Sequence, residues 1–320
     1  MKSVFVTGAT GFCGSHLCRL LEERGYAVTG ATHRIRSDRT SYPYPLVPID
    51  IKEASRTDCT ILSLQPDVVC HLAAQSVPRF SWDSQEETFA VNTGGSVNLL
   101  NAIRKYSPKT VLLYASTIRV YGLRFHSRTP VKENDLLWPS DPYSASKVLS
   151  EFACLDFANR FGLRVIITRA FNHLGPGQPI YDAFSDWCRQ IVLAEYGFGK
   201  PVLQVGNLRH ELDVLHVRDV VRAYEILIRK GRIGHIYNIS SGRAYALGEF
   251  VDFLLSQSRI PIRVAVDPMR VRNPVPPVMR ADASRLMALG WRPEISPFTA
   301  IGELLTEWRG KIEKESRNHG

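Results

Sequence analysis

No two of the chain's six cysteines, Cys13, Cys18, Cys59, Cys70, Cys154 and Cys188, are separated by the two-residue gap of a metal-ligand pair. His71 and His173 each stand apart from other plausible ligands, so no metal is expected. The same thiols have no secretory segment before them and fit a reducing cytosol better than a disulfide framework. Apolar strand pattern begins at Ser3, which leaves no targeting peptide or membrane segment ahead of it; a soluble, cytoplasmic chain is expected. Nor is there a zinc finger, an RNA-binding module or a long basic tail. The formal charge of +9 is spread along the chain, which fits an enzyme of anionic nucleotides better than a nucleic-acid partner.

What is present can build an ordinary core: 320 residues, 44% hydrophobic, enough for one large domain or two coupled ones. The strand Ser3-Val4-Phe5-Val6-Thr7 runs into Gly8-Ala9-Thr10-Gly11-Phe12-Cys13-Gly14 and then a helical pattern. Gly8 permits the tight turn, Gly11 admits a pyrophosphate, and Gly14 lets helix and strand pack closely. Thr10 and Phe12 lie inside this loop and join the candidate cofactor contacts. At the end of the second strand, Tyr26 to Ala31, the carboxylate that would hold a ribose diol is missing. Arg34 stands nearby and can pair with a 2′-phosphate, which favours NADP(H) and leaves NAD(H) as the alternative. A short strand, Val47 to Ile51, ends near Asp50, a candidate for the adenine amine, with Ile51 to pack on the ring. Leu72, Ala73 and Ala74 follow the apolar strand Asp67 to His71 and leave room for cofactor backbone contacts.

A helix over Thr88 to Tyr106 and a strand over Thr110 to Ser116 continue the alternation. Tyr143 and Lys147 then project from one face of a helix that runs to Phe161, so the ammonium can lie near the phenol and favour its ionised form. The strand Arg164 to Arg169 resumes the sheet. This order predicts an α/β chain with a Rossmann-type doubly wound parallel sheet and a smaller, discontinuous C-terminal substrate domain. Residues 1–170 form the dinucleotide-binding domain, with return segments over 214–240; residues 171–213 and 241–320 form the substrate-binding domain.

These residues resemble an extended short-chain dehydrogenase/reductase. The general markers are the glycine loop, His71-Leu72-Ala73-Ala74, Asn92, Thr117 and the Tyr143/Lys147 pair. More specific ones are Arg169 to Gln178, Val205 to Leu208, Val217 to Tyr224 and Asp282 to Arg285 followed by Leu289-Gly290-Trp291. Within that superfamily the chain is similar to the GDP-4-keto-6-deoxy-D-mannose reductases and GDP-mannose 4,6-dehydratases. The resemblance implies that Tyr143 donates a proton to a carbonyl oxygen and that Thr117 hydrogen-bonds the same oxygen. It gives Lys147 the nicotinamide ribose and the task of lowering the phenol's pKa. Ser116 is the weaker catalytic candidate, because alternation turns it to the other face of the strand. A homodimer through helices beginning near Asn92 and Tyr143 is also implied.

Three positions depart from the resemblance. Arg119 stands where dehydratase relatives carry a glutamate, and a guanidinium cannot remove the proton that dehydration requires. Leu212 replaces an arginine, for which Arg209 can compensate. Val275 replaces an acid three residues after Arg272, which can still meet a pyrophosphate. Asn172, His173, Gln178 and Arg189 complete the candidate sugar-nucleotide contacts. The expected activity is NADPH-dependent reduction of a nucleotide-linked 4-keto-6-deoxyhexose. A 4-epimerase retaining NAD(+) is the first alternative, a 4,6-dehydratase the second and a non-catalytic dinucleotide-binding protein the last.

Overall fold

The computed structural model describes residues 1–33, 42–127, 129–271 and 278–318. In chain order its strands are β1 (Ser3–Thr7), β2 (Ala27–Thr32), β3 (Leu46–Pro48), β4 (Val68–His71), β5 (Val111–Thr117), β6 (Arg164–Ala170) and β7 (Asn172–Leu174). They continue as β8 (Val202–Val205), β9 (Glu211–His216), β10 (Ile236–Ile239), β11 (Ala244–Ala246), β12 (Arg263–Val266) and β13 (Val278–Met279). The helices up to the middle of the chain are α1 (Phe12–Glu23), α2 (Ala54–Leu64), α3 (Pro78–Asp83), α4 (Gln85–Phe89), α5 (Gly95–Tyr106) and α6 (Pro142–Phe161). Beyond it lie α7 (Ala183–Glu195), α8 (Val217–Lys230), α9 (Leu247–Ser256), α10 (Ser284–Met287) and α11 (Pro297–Asn318).

Among the described residues seven strands form a parallel sheet in the order β10-β6-β5-β4-β1-β2-β3. Its central strands are apolar on both faces, as a sheet covered by helices on both sides requires. Val4 and Val6 point into a cluster with Leu17 and Leu21 of α1 and Val220, Tyr224 and Leu227 of α8. Phe5, between them, points the other way, toward Ile61 of α2, Leu99 and Ile103 of α5 and Cys154 of α6. Strand order reverses direction at β1, with β4 on one side and β2 on the other. That reversal opens a crevice at the carboxyl ends of β1 and β4, where a dinucleotide is received in such sheets.

A second layer is built on β9, which pairs with β7 and β13 in parallel and with β11 antiparallel; β8 and β12 pair separately. Leu174, Trp187, Val214, Phe250 and Leu304 close its own apolar cluster under α7, α9 and α11. Residues 214–216 end β9 in this small layer, so the return to the large sheet starts with α8, later than the sequence pattern suggests. β10 then adds the edge strand.

Two local departures from the sequence pattern have clear causes. The strand expected over Val47 to Ile51 stops at Pro48, and Asp50 Oδ1 accepts from Lys52 N at 3.0 Å, turning the chain. The helix expected over Thr88 to Tyr106 contains a π turn, Ala90–Gly94, that carries Asn92 inward. One buried ion pair ties α6 to the sheet: Arg169 Nη2 lies 2.6 Å from Glu151, and the two side chains are 3% and 2% exposed. The same guanidinium donates to Tyr121 Oη at 2.8 Å and to the Glu133 carbonyl at 3.0 Å. No helix among the described residues is long and apolar enough to cross a membrane.

Candidate active site

The crevice begins at the glycine loop. Gly8 has φ +72°, and a Cβ there would meet Ala73 N at 2.9 Å. A Cβ on Gly14 would overlap the Gly8 carbonyl, so the loop closes only with glycine at both places. No side chain caps α1 at Gly11, which leaves its first N–H groups open to an anion. These are the features a pyrophosphate requires, and a dinucleotide fits the loop. Thr10 Oγ1 lies 3.0 Å from Thr32 Oγ1 and fastens the loop to β2. The Phe12 ring stacks against His173 at 5.7 Å, away from the helix start that its backbone supplies.

Behind the loop, Thr7 Oγ1 accepts from Leu72 N and Ala73 N, both at 3.1 Å. Its own proton is then directed to His71 Nδ1 at 2.7 Å, leaving Nε2 to donate to Ser96 Oγ at 3.0 Å. Burial, reinforced by the nearby Lys147 charge, pushes the His71 pKa down to about 3, so the ring stays neutral. The chain thus fixes the turn that presents Ala73 and Ala74. At the crevice mouth Asp50 faces His33 at 3.7 Å and Lys52 at 3.8 Å. Ile51 is buried against Gly95 rather than presented as an open platform. Arg34 lies outside the described residues.

Thr117 ends β5, and Tyr143 and Lys147 occupy the first turns of α6. That helix starts cleanly because Asp141 Oδ1 accepts from Ser144 N at 2.7 Å and Pro142 occupies its first position. Burial pushes the Tyr143 phenol up to about 12; a Thr117 hydrogen bond and the Arg119 charge work against that rise, and Asp141 adds to it. The Lys147 ammonium lies 4.4 Å from the centroid of the Tyr114 ring, and burial brings its pKa down to about 8. Ser116 Oγ is buried without a partner among the described residues, on the opposite face from Thr117.

Two further residues support this site: Asn92, a marker of the resemblance to which no role was attached, and Asp141, which the sequence pattern did not single out. Asn92 Oδ1 accepts from Gln75 N at 2.8 Å, and its amide donates to Gln75 O and to Ser146 Oγ at 3.0 and 2.9 Å. It therefore joins the loop after β4 to α6. Asp141 is the other; its signal is Asp141-Pro142-Tyr143-Ser144, a cap residue followed by proline and a reciprocal serine.

On the substrate side, Gln178 is 5% exposed, and its Oε1 has no hydrogen-bond partner among the described residues. It is an acceptor waiting for a donor. Asn172 is exposed at the start of β7, Arg189 is half-buried on α7, and Arg209 is exposed in the turn before β9. His173 Nδ1 is held 2.9 Å from the Phe171 carbonyl. Leu212 is buried in the small-layer core, while Arg272 and Val275 lie outside the described residues.

The model of the NAD dependent epimerase/dehydratase family matches residues 4–240. The chain belongs to that family. It is 31% identical to the GDP-6-deoxy-D-mannose reductase of Pseudomonas aeruginosa, over 98% of this chain and 99% of the relative. It is 27% identical to the CDP-paratose 2-epimerase of Salmonella typhi, over 97% and 99%. Among solved structures, RMD from Pseudomonas aeruginosa complexed with NADPH superposes with a TM-score of 0.83 at 29% identity, covering 97% of this chain and 100% of that one. In this epimerase/dehydratase family member the glycine loop follows β1, Thr117 ends β5 of the same sheet, and Tyr143 and Lys147 start α6.

Proposed function

We propose that the protein is an NADPH-dependent reductase of a nucleotide-linked 4-keto-6-deoxyhexose, with GDP-4-keto-6-deoxy-D-mannose the favoured substrate and the 4-hydroxy deoxysugar the product. The observation that carries this is the Tyr143 phenol, kept protonated by burial beside Thr117 at the dinucleotide crevice. A proton donor is what ketone reduction needs throughout the neutral range. The likeness to the Pseudomonas aeruginosa reductase and to the NADPH complex supports the same reading.

When bound, NADPH supplies the hydride. Tyr143 donates its proton to the carbonyl oxygen, Thr117 aligns that oxygen with the phenol, and Lys147 holds the nicotinamide ribose. Gln178 offers its free Oε1 to a sugar hydroxyl, and Asn172, Arg189, Arg209 and Arg272 are proposed for the sugar nucleotide. Arg119 argues against dehydration, since it provides no base. The likeness to the CDP-paratose 2-epimerase keeps epimerisation as a second reading. Purified protein that holds NAD(+) and interconverts sugar isomers without consuming reductant would establish it instead.

The direct test is a mass-spectrometric screen of freshly generated 4-keto nucleotide sugars with NADPH. A product two hydrogens heavier is expected, with the GDP-linked sugar the best substrate; no NADPH consumption across bases would defeat the reading. A second measurement addresses Lys147. Its ammonium loses its proton above about pH 8 in the free enzyme, and a ribose contact restores the charged form. NADPH binding is therefore expected to take up protons above that pH and not well below it, as read by calorimetry in buffers of different ionisation enthalpy. Equal proton uptake at both would remove Lys147 from the ribose site.

The proposed assembly is a homodimer. Leu149 and Phe152 on α6 leave 48% and 60% of their surface exposed, apolar area that a second copy would bury. Light scattering should show a dimer, and a persistent monomer would count against it. A cytoplasmic location is proposed on the thiols, all of which are free.

A further inference from the structure

The segments that follow β1 and β4, the two strands whose carboxyl ends bound the crevice, each reach residues 172–182 of the small layer through an aromatic contact. After β1, the Phe12 ring stacks on His173, and its edge faces Gly177, where a Cβ would lie 3.8 Å from Phe12 Cδ2. After β4, the Phe80 ring of α3 meets the Tyr181 ring edge to face, with centroids 5.8 Å apart and planes at 63°. The segment leading to α3 is itself tied to α6. The Asn92 amide donates to Ser146 Oγ, Asn92 Oδ1 accepts from Gln75 N, and Gln75 Oε1 accepts from Val77 N at 2.6 Å, just before the helix.

The two partners of the second contact are held very differently. On the Tyr181 side, His16 Nε2 donates to the Pro176 carbonyl at 2.8 Å, and Gly177 N donates to Glu307 Oε2 at 2.7 Å. Ser185 Oγ donates to the Gln178 carbonyl at 3.0 Å, and Asp182 N closes a turn on the Pro179 carbonyl at 3.1 Å. Tyr181 therefore stands on a fixed turn. Of the six residues of α3, by contrast, Ser81 alone is buried, its hydroxyl donates to Pro78 of the same helix, and no side chain caps the helix start. A short element with one buried residue is displaced at little cost. The contact that restrains it joins rings that are 46% and 54% exposed, a modest attraction.

We propose that Phe80 and Tyr181 latch the crevice: α3 swings aside to admit a sugar nucleotide, and the two rings meet again over its sugar. This rests on the reductase reading. Aromatic rings suit that place because a 6-deoxyhexose presents C–H groups and a methyl beside its hydroxyls. Gln178, three residues before Tyr181, supplies the polar complement with its unpartnered Oε1. A bare nucleoside diphosphate lacks the part on which the latch closes.

Phe80→Ala, Tyr181→Ala and Tyr181→Phe test it by calorimetry in the presence of NADP(+). Four pairs are titrated: GDP with GDP-mannose, and UDP, CDP and dTDP each with its glucose conjugate. In the pair that the wild type binds, each alanine variant is expected to weaken the sugar nucleotide about three- to tenfold, with the bare nucleotide, NADPH and Tm unchanged. Tyr181→Phe keeps the ring and is expected to retain most of the affinity. The second readout is the emission of Trp82, 59% exposed on α3, taken as the signal lost in Trp82→Phe. It should shift when the wild type binds the sugar nucleotide, and not in Tyr181→Ala. Equal weakening of nucleotide and sugar nucleotide, no weakening, or a Trp82 signal indifferent to the sugar overturns the latch and leaves the reductase reading standing. A wild type that binds none of the pairs defeats the sugar-nucleotide reading, and the latch falls with it.

Discussion

Tyr143→Phe is expected to lower the turnover of keto-sugar reduction by about 10²-fold or more, with folding and NADPH binding left close to normal. The substitution keeps the ring, which packs at the start of α6 with 8% of its surface exposed, and removes one hydroxyl. What is lost is the proton donor and its hydrogen bond with Thr117. The loss should fall on kcat, since the proposed cofactor contacts lie elsewhere, at the glycine loop and Lys147. Stopped-flow measurement of NADPH oxidation, with Kd measured separately by fluorescence, tells these apart. Near-normal reduction by Tyr143→Phe would mean that another group delivers the proton.

Glu151→Ala is expected to destabilise the fold by about 3–5 kcal/mol, because it leaves the Arg169 guanidinium buried and uncompensated. Both side chains are almost inaccessible, and Arg169 lies 2.6 Å from the carboxylate that would be deleted. The contacts to Tyr121 and the Glu133 carbonyl survive, yet neither supplies negative charge. The double variant Glu151→Leu with Arg169→Met should be much less damaging, since it removes both charges and fills the volume. Urea unfolding of the three proteins reads the difference. A cost below about 1 kcal/mol for Glu151→Ala would show that water reaches the guanidinium and that the pair is not sealed.

Most of the large sheet is legible in the sequence because parallel strands under helices are nearly continuous apolar runs, and those runs are local. Ser3–Thr7 and Ile236–Ile239 fall where the pattern puts them, and the order of glycine loop, Thr117 and Tyr143/Lys147 is itself a sequence property. The supports of the site are not local. Thr7 meets His71, Asn92 meets Ser146, and Arg169 meets Glu151, each pair joined only after sheet and helices have assembled. Spacing on a helix puts Lys147 and Tyr143 on one face, but it does not reveal that the Tyr114 ring, from β5, packs 4.4 Å from the ammonium. The π turn at Asn92 is likewise invisible to a 3.6-residue period, since it inserts a residue without changing composition.

Tyr143, Lys147 and Glu151 follow one another at four-residue steps along α6, so the proposed proton donor, the proposed ribose contact and the buried ion pair share one stripe. Drift along that stripe is coupled: a substitution that adjusts the chemistry also perturbs the foundation beneath it, and a change that loosens the foundation moves the chemistry. The opposite edge of the same helix, with Leu149 and Phe152 exposed, carries no such double duty. A laboratory lineage selected for new sugars should therefore leave the stripe nearly frozen and accumulate its changes in β7, α7 and the turn before β9, where the substrate-side residues sit on a separate apolar cluster.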